Sequence, residues 1–282
     1  NGTNELIRKE VLEQYPNDSF RSRDIFQLTE KACTELLGEF GITKSFIEAP
    51  AKNKNLTQPS DIFAKSLYYN PSEEQQISRL ESLLQPDAFA NITQRLADSG
   101  MRKGFACLFY GAPGTGKTET VLQLARKTGR ALMQVNISSI KDKYVGESEK
   151  NIKNLFDRYR QLIESEPIAP ILFFNEADAI FNKRSEDTER AVDKMENAIQ
   201  NIILQEMETL DGILIATTNL TSNLDSAFER RFIYKVKFAA PSLEAKQAIW
   251  LSMIPSLSEE DAATLASAYN FSGGQIEKIG RA

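Results

Sequence analysis

The sequence predicts an α/β fold in which a parallel sheet of five strands carries helices on both of its faces. Three observations predict it. From Gly104 onward, short apolar runs alternate with longer amphipathic segments, which is typical of a parallel sheet with helical crossovers. One such segment, 148–165, has apolar residues at the one-face spacing of a helix. After Pro241 the strand pattern stops and only helical patterns follow.

The five apolar runs predict strands at 105–110, 131–136, 170–175, 212–218 and 233–238. Between them, helices are predicted at 148–165 and 190–210. The first of these helices has its apolar face at Ile152, Leu155, Phe156, Tyr159, Leu162 and Ile163. Three more helices are predicted within 241–282, and the last is cut short by the end of the chain. We therefore assign an α/β domain to 104–240 and a small helical unit to 241–282.

The first hundred residues lack this alternation. Helices are predicted at 3–15 and 22–40, followed at 49–60 by an exposed linker rich in Pro, Asn and Lys. A further helix is predicted to begin at Pro71 with a capping box from Ser72 to Gln75, and to continue into 92–100. No catalytic motif occurs here. We interpret 1–60 as a helical adaptor or docking module with its linker, and 61–103 as a helical lead-in to the α/β domain.

The composition excludes several classes of protein. With 282 residues, 41% of them apolar, the chain can bury a sizeable core. It contains no His, which excludes Ser-His-Asp and Cys-His catalysis and His-ligated metal sites. The net charge of −5 disfavours nucleic acid as a partner. No apolar run approaches the roughly 20 residues of a membrane span, so no membrane segment is expected.

The cysteines indicate a reducing compartment. Cys33 and Cys107 are too few for a disulfide framework, and Cys107 lies in an apolar run typical of a core strand. We therefore expect two reduced thiols and a cytoplasmic location. The chain begins at Asn1 rather than Met and ends inside a predicted helix, which indicates a fragment of a longer protein.

The segment GAPGTGKT, at 111–118, directly follows a predicted strand and directly precedes a predicted helix. Its glycines let backbone N–H groups turn towards an anion at the helix N-terminus, and Lys117 adds a cation for the β and γ phosphates. Thr118 offers its hydroxyl to Mg²⁺. The segment therefore predicts a nucleotide phosphate site, although it does not by itself separate kinases, GTPases and ATPases.

Four downstream segments narrow the choice: ILFFNEADAIF at 171–181, ILIATTN at 213–219, LDSAFERRF at 224–232 and FSGGQIEKIGRA at 271–282. Together with the phosphate loop, and in this order, they resemble the AAA+ ATPases, specifically the classical AAA group that includes katanin and spastin. The resemblance covers roughly residues 70–282, whereas 1–60 match no family that we can name.

The resemblance implies an Mg²⁺-dependent ATPase with the following roles. Glu176 is the general base that polarises the attacking water, and Asn219 helps to orient that water against the γ phosphate. Asn175 stands where the family has an Asp that holds Mg²⁺ together with Thr118. The implied ATP-binding residues are Gly111, Ala112, Pro113, Gly114, Thr115, Gly116, Lys117, Thr118, Glu119, Gly273 and Gly274.

Asn175 departs from the family pattern. Its carbonyl oxygen can accept a hydrogen bond from a metal-bound water, but it lacks the negative charge of a carboxylate. Losing a charged acceptor costs about 1.5–3 kcal/mol, or roughly ten- to a hundredfold in metal retention. We therefore expect hydrolysis that is slowed rather than lost. A substitution introduced into the natural sequence is the alternative explanation for this residue.

Two sets of residues imply an assembly that acts on a polypeptide. Arg230 and Arg231 match the paired arginine fingers that reach the nucleotide of a neighbouring subunit, which implies a ring, by family analogy a hexamer. Lys143, Tyr144 and Val145 match the pore loop with which remodelling AAA proteins grip a polypeptide. Structural alternatives are a strand-end turn for Asn219, surface ion pairs for the arginines and packing of Tyr144 on the following helix.

The implied function is remodelling, unfolding or disassembly of protein clients by an oligomeric ring that binds and hydrolyses ATP. The alternative is a nucleotide-dependent switch or scaffold with little turnover. A DNA-loading role is disfavoured by the acidic balance and by the aromatic residue of the pore loop.

Overall fold

The computed structural model describes residues 12–14, 26–28, 56–101, 103–136, 147–182, 191–220 and 224–281. The chain divides into two compact units, Asn1–Lys54 and Asn55–Ala282. In the first unit, strand β1 (Leu12–Gln14) pairs antiparallel with β2 (Phe26–Leu28). The predicted helices are therefore wrong at these six positions. Three-residue segments are too short for periodicity to separate helix from strand. The remainder of both predicted helices lies outside the described residues.

The second unit is built on a six-stranded, mostly parallel sheet with the order β3-β5-β6-β7-β4-β8. The two-residue edge strand β3 runs antiparallel to β5 and pairs Leu56 with Met133. It lies within the predicted linker, so the sheet has one strand more than the five predicted. The bounds are β3 Leu56–Thr57, β4 Phe105–Gly111, β5 Leu132–Asn136, β6 Ile171–Asn175, β7 Ile213–Thr218 and β8 Tyr234–Phe238.

The described helices cover both faces of the sheet, and the last three of them follow β8 along the chain. Their bounds are α1 Pro71–Leu83, α2 Pro86–Asp98, α3 Lys117–Lys127, α4 Glu147–Ser165, α5 Asp178–Phe181, α6 Ala191–Glu208, α7 Ser226–Glu229, α8 Leu243–Met253, α9 Glu259–Ala268 and α10 Gly273–Gly280. Among the described residues, no helix is both long and apolar enough to cross a membrane.

Successive residues of the central strands belong to two cores, one on each face of the sheet. Leu172 and Phe174 of β6 pack with the residues of α4 and α6, whereas Ile171 and Phe173 pack with those of α1 and α3. A strand buried on both faces needs apolar residues at every position, which explains the uninterrupted runs in the sequence. Cys107 is fully buried in the second core, as predicted, and burial raises the pKa of its thiol.

The start of α1 differs from the prediction. The N-cap residue is Asn70, and its backbone N–H donates to the carboxylate of Glu73 over 3.1 Å. Because Pro71 disfavours helical backbone at the preceding residue, the cap lies at residue 70 and the predicted Ser72–Gln75 capping box is wrong. Pro86 has the same effect on Gln85, whose ψ is 140°, so the predicted continuous helix is divided into α1 and α2.

Three helices, α8 to α10, form a small unit with its own core around Trp250, Ala262, Ala266 and Ile276. Each helix begins after a serine whose hydroxyl accepts a backbone N–H of the first turn. These serines are Ser242, Ser258 and Ser272. The last of them places the N-terminus of α10 beside the loop between β4 and α3, where the backbone N–H of Gly274 donates to the carbonyl of Gly114 over 2.9 Å.

Candidate active site

The loop 111–116 joins β4 to α3 and borders a cavity of about 350 Å³. Gly114 and Gly116 have φ angles of 76° and 92°, which favour glycine over any residue with a side chain. At Gly114 a Cβ atom would also lie 2.6 Å from the hydroxyl of Ser272. The loop is therefore held close to the N-terminus of α10, and both Gly273 and Gly274, which the resemblance assigns to ATP binding, line the cavity.

Lys117 is buried at the base of this loop, with only 7% of its surface exposed. Its Nζ donates to the carbonyls of Gly111 and Ala112 over 2.7 and 2.8 Å, and to Oδ1 of Asn219 over 3.0 Å. Burial lowers the pKa of its ammonium, and the nearby carboxylates of Asp178 and Glu176 oppose this shift. The loop thus carries a preplaced cation at the N-terminus of a helix, the arrangement that suits a phosphate group.

Asn175 ends β6 and accepts two hydroxyl hydrogen bonds through the same atom. Its Oδ1 lies 2.9 Å from Oγ1 of Thr118 and 3.0 Å from Oγ1 of Thr217. A carbonyl oxygen has two lone pairs, so both are used in this arrangement. The oxygen that was expected to receive a metal-bound water is thus already engaged. A carboxylate at this position would have a second oxygen to offer.

Glu176 follows Asn175 and adopts a left-handed backbone conformation with φ of 53°. This conformation costs of order 1–3 kcal/mol in a residue other than glycine. It is held by hydrogen bonds from two backbone N–H groups to Thr217, from Glu176 to Oγ1 over 3.0 Å and from Ala177 to the carbonyl oxygen over 2.8 Å. The resulting turn places the exposed side chain of Glu176 on the wall of the cavity.

Asp178 is a site residue that sequence reasoning missed. Its Oδ1 accepts hydrogen bonds from the Thr218 hydroxyl and from the backbone N–H of Asn219. Its Oδ2 accepts a hydrogen bond from Nδ2 of the Asn219 side chain over 3.0 Å. These contacts orient the Asn219 amide so that its oxygen faces Lys117. The only sequence signal was a second acidic residue in the segment NEAD, and its role depends on the adjacency of β6 and β7.

The two predicted finger residues have different surroundings, and neither lines the cavity. Arg231 is held within its own chain: it donates to the carbonyls of Leu204 and Ala227 and forms an ion pair with Glu208. Arg230 is exposed, and its Nε donates to the carbonyl of Ser226 over 3.2 Å. With the carboxylates that the structure describes, Arg230 forms no ion pair.

The cavity is also lined by Lys65, which belongs to no sequence motif. Lys65 precedes α1 and forms an ion pair of 2.7 Å with Glu277 of α10, so the cavity is bordered by both the lead-in and the C-terminal helices. This hydrogen bond lowers the pKa of the Glu277 carboxyl. Glu119, predicted to bind ATP, also lines the cavity and accepts a hydrogen bond from Gln123. The predicted pore-loop residues Lys143, Tyr144 and Val145 lie outside the described residues.

The residues around the cavity fit a nucleoside triphosphate with a bound Mg²⁺. The glycine loop, the helix N-terminus and Lys117 suit the phosphates. Mg²⁺ takes oxygen ligands and is held in such sites by one or two side chains together with phosphate oxygens and water. Thr118 offers a hydroxyl oxygen of this kind, whereas Asn175 Oδ1 would become available only when one of the two threonine hydroxyls turns away from it. Among the described residues, no group of three or more acidic or Cys residues could hold a metal by itself.

Comparison with known proteins finds similarity to a family of ATPases. Residues 107–240 match the family described as "ATPase family associated with various cellular activities (AAA)". The 26S proteasome regulatory subunit 7 of Dictyostelium discoideum is 33% identical over 177 residues, which are 60% of this chain and 38% of that protein. ATPase family gene 2 protein homolog B of Bos taurus is 31% identical over 163 residues, covering 55% and 20% of the two chains.

A third relative is a cell division protein. Cell division protein C of Sulfolobus acidocaldarius is 30% identical over 151 residues, which are 51% of this chain and 39% of that protein. The chain thus spans well under half the length of each of these three relatives. The similarity in all three concerns about half of this chain or somewhat more. Over residues 107–240, slightly less than half of its length, this chain is similar to the AAA ATPase family.

Proposed function

We propose that this chain is an Mg²⁺-dependent ATPase that works as an oligomeric ring, by analogy a hexamer, and remodels, unfolds or disassembles protein clients in the cytoplasm. The observation that carries the proposal is a hydrogen-bonded network around one cavity. It joins the phosphate-binding segment to the end of β7 through Lys117 and Asn219, and to the end of β6 through Thr118 and Asn175. The ERRF segment further favours the katanin- and spastin-like group. A role in protein remodelling is in line with the similarity to a proteasome regulatory subunit.

Each residue of the network has a separate task in this proposal. Lys117 and the loop N–H groups bind the β and γ phosphates. Thr118 would hold the Mg²⁺ that neutralises their charge, and Asn175 would join it once one of its two threonine contacts opens. Glu176 lies on the cavity wall with a carboxylate that can accept the proton of the attacking water. Asn219, oriented by Asp178, positions that water against the γ phosphate. Arg230 reaches the nucleotide of a neighbouring subunit.

In this proposal Asn175 weakens Mg²⁺ retention and thereby slows hydrolysis. Restoring a carboxylate at this position tests that role. In Asn175→Asp, one oxygen can keep the hydroxyl contacts while the other accepts a metal-bound water. We expect the Mg²⁺ concentration for half-maximal ATPase activity to fall roughly ten- to a hundredfold, as for other charge-assisted hydrogen bonds. The measurement is steady-state phosphate release over a range of Mg²⁺ concentrations.

A matched control is available on the neighbouring strand. Asn136 ends β5 and is the register partner of Asn175, so Asn136→Asp adds the same charge at the same edge of the sheet. We expect it to leave the Mg²⁺ dependence near that of the unmodified chain. Equal shifts in both variants would mean that general electrostatics, not a ligand at residue 175, sets the metal affinity.

The alternative function is a nucleotide-dependent switch or scaffold. It is favoured by one observation, the engagement of Asn175 Oδ1 by two threonine hydroxyls, which leaves little capacity to hold the metal shell. A ring ATPase gives turnover per subunit that rises with protein concentration as the ring assembles. ATP binding without turnover at any protein concentration would support the switch and contradict the remodelling ATPase.

The predicted client-gripping role of Tyr144 gives a second test that distinguishes a remodelling ATPase from a switch. In Tyr144→Ala we expect ATPase activity to be kept and unfolding of a protein client to be lost, because an aromatic ring supplies the apolar contact area for gripping. Unfolding of a fluorescent fusion protein, recorded beside phosphate release, checks this. A variant that processes the client at the unmodified rate would rule out this residue as the grip.

A further inference from the structure

Thr217 is the penultimate residue of β7 and lines the cavity at the phosphate loop. The register of β6 and β7 pairs Phe174 with Ala216, so the next residues of these parallel strands, Asn175 and Thr217, lie side by side where both strands end. Thr217 is only 2% exposed. The sequence motifs give it no role, yet it contacts two residues to which they do give one.

The Thr217 hydroxyl connects Asn175 with Glu176. Its Oγ1 donates to Oδ1 of Asn175 over 3.0 Å and accepts the backbone N–H of Glu176, also over 3.0 Å. A hydroxyl has a single proton to donate, and among the described residues Thr217 donates to no other acceptor. Leaving a buried hydroxyl proton without an acceptor is costly, so the contact with Asn175 is maintained.

The two threonine contacts of Asn175 differ in what they allow. The Thr118 hydroxyl donates its proton to Oδ1 but keeps its lone pairs, so this contact is compatible with Mg²⁺ held by the same hydroxyl. The Thr217 hydroxyl is committed to the Glu176 N–H and takes the second lone pair of Oδ1. It is therefore the contact from Thr217 that a metal-bound water must replace.

We propose that Thr217 is a positioning residue that limits Mg²⁺ retention, because its hydroxyl competes with a metal-bound water for Oδ1 of Asn175. This inference rests on the ATPase function proposed above and names a residue that regulates the same site. The hydroxyl also holds the backbone of Glu176, the proposed general base. Removing it is therefore expected to change metal binding and turnover in opposite directions.

The test compares binding of a fluorescent, non-hydrolysable ATP analogue in Mg²⁺ and in EDTA. The ratio of the two affinities measures how strongly the metal is retained, without any need for turnover. In Thr217→Val we expect this ratio to rise about two- to tenfold, the range for one neutral hydrogen bond. We expect kcat at saturating Mg²⁺ to fall about threefold or more, because the left-handed backbone of Glu176 loses one of its hydrogen bonds.

Three further variants at this site make the test specific. Thr217→Ser keeps the hydroxyl and is expected to return the ratio to within about twofold of its original value. Thr217→Ala also lacks the hydroxyl but leaves room for a water molecule, so it shows the same rise in the ratio should the valine variant not fold. In an Asn175→Asp background, Thr217→Val is expected to leave the ratio unchanged, since the carboxylate has a second oxygen to offer.

A matched control lies outside the cavity. Thr128 is 1% exposed, and its hydroxyl donates to the carbonyl of Leu124 over 2.7 Å. It does not line the cavity at the phosphate loop, so Thr128→Val removes a buried hydroxyl without touching Asn175. We expect it to leave the ratio unchanged.

The outcomes separate this proposal from the ATPase function. An unchanged ratio in folded Thr217→Val or Thr217→Ala would overturn the role of Thr217, and so would an equal rise in the Asn175→Asp background. Absence of phosphate release from the unmodified chain would contradict the ATPase, whereas a ratio that rises in Thr217→Val would still support the competition at Asn175. Equal affinity in Mg²⁺ and EDTA for every variant would contradict both.

Discussion

Replacing Glu176 with Gln is expected to lower the kcat for ATP hydrolysis by about 10²–10⁴-fold, the usual contribution of a general base. Gln has nearly the same shape but cannot accept the proton of the attacking water. The hydrogen bond that ties residue 176 to Thr217 comes from the backbone N–H, so the substitution leaves it in place. ATP binding should therefore change by no more than a few-fold, which fluorescence titration with a labelled ATP analogue measures beside phosphate release.

The matched control for this prediction is Glu164→Gln. Glu164 is exposed on α4 and does not line the cavity at the phosphate loop, so the same loss of charge there should leave both kcat and ATP affinity unchanged. If Glu176→Gln hydrolyses ATP at the unmodified rate, another group is the base. If it fails to bind ATP, the residue supports the nucleotide site rather than the chemical step.

Replacing Arg230 with Ala is expected to lower kcat by about 10³-fold or more without lowering the melting temperature. An arginine finger is worth roughly 10³–10⁵ in kcat, and Arg230 is exposed with one backbone contact to lose. Arg231→Ala is the contrasting variant. It removes contacts to two carbonyls and to Glu208, so we expect the free energy of unfolding to fall by about 1–3 kcal/mol.

A mixing experiment shows whether Arg230 acts on a neighbouring subunit. Glu176→Gln chains lack the base but carry the finger, whereas Arg230→Ala chains lack the finger but carry the base. Mixed assemblies contain interfaces that hold one intact copy of each, so phosphate release from the mixture should exceed that of either variant alone. Activity of Arg230→Ala equal to that of the unmodified chain would contradict the finger assignment, and no recovery on mixing would contradict its action in trans.

Much of the fold could be predicted from the sequence because its signals are local. A strand buried on both faces requires an uninterrupted apolar run, and β4, β6 and β7 begin and end within one residue of the predicted bounds. The phosphate loop was equally visible because glycine is needed where φ is positive, as at Gly114 and Gly116. The predictions failed where a segment was short, as in β1 and β3, or where proline decided a boundary, as at Gln85.

The sequence predicted only part of the site. Lys117, Thr118 and Glu176 belong to motifs, so their types and spacing indicated their chemistry. Asp178 and Thr217 carry no such signal, yet they orient Asn219, Asn175 and the backbone of Glu176. Their partners lie about 40 residues away along the chain and meet only because β6 and β7 are neighbours. The engagement of both lone pairs of Asn175 Oδ1 likewise follows from that adjacency.

The sequence by itself therefore determined the α/β sheet, the phosphate loop and the replacement of a carboxylate by an amide at residue 175. Periodicity, glycine and charge are properties of neighbouring residues, and neighbours along the chain suffice to express them. Only the tertiary structure decided which of the two adjacent arginines is held in its own chain. Hydrogen bonds and ion pairs act over a few ångströms, and folding alone determines which distant residues come within that range.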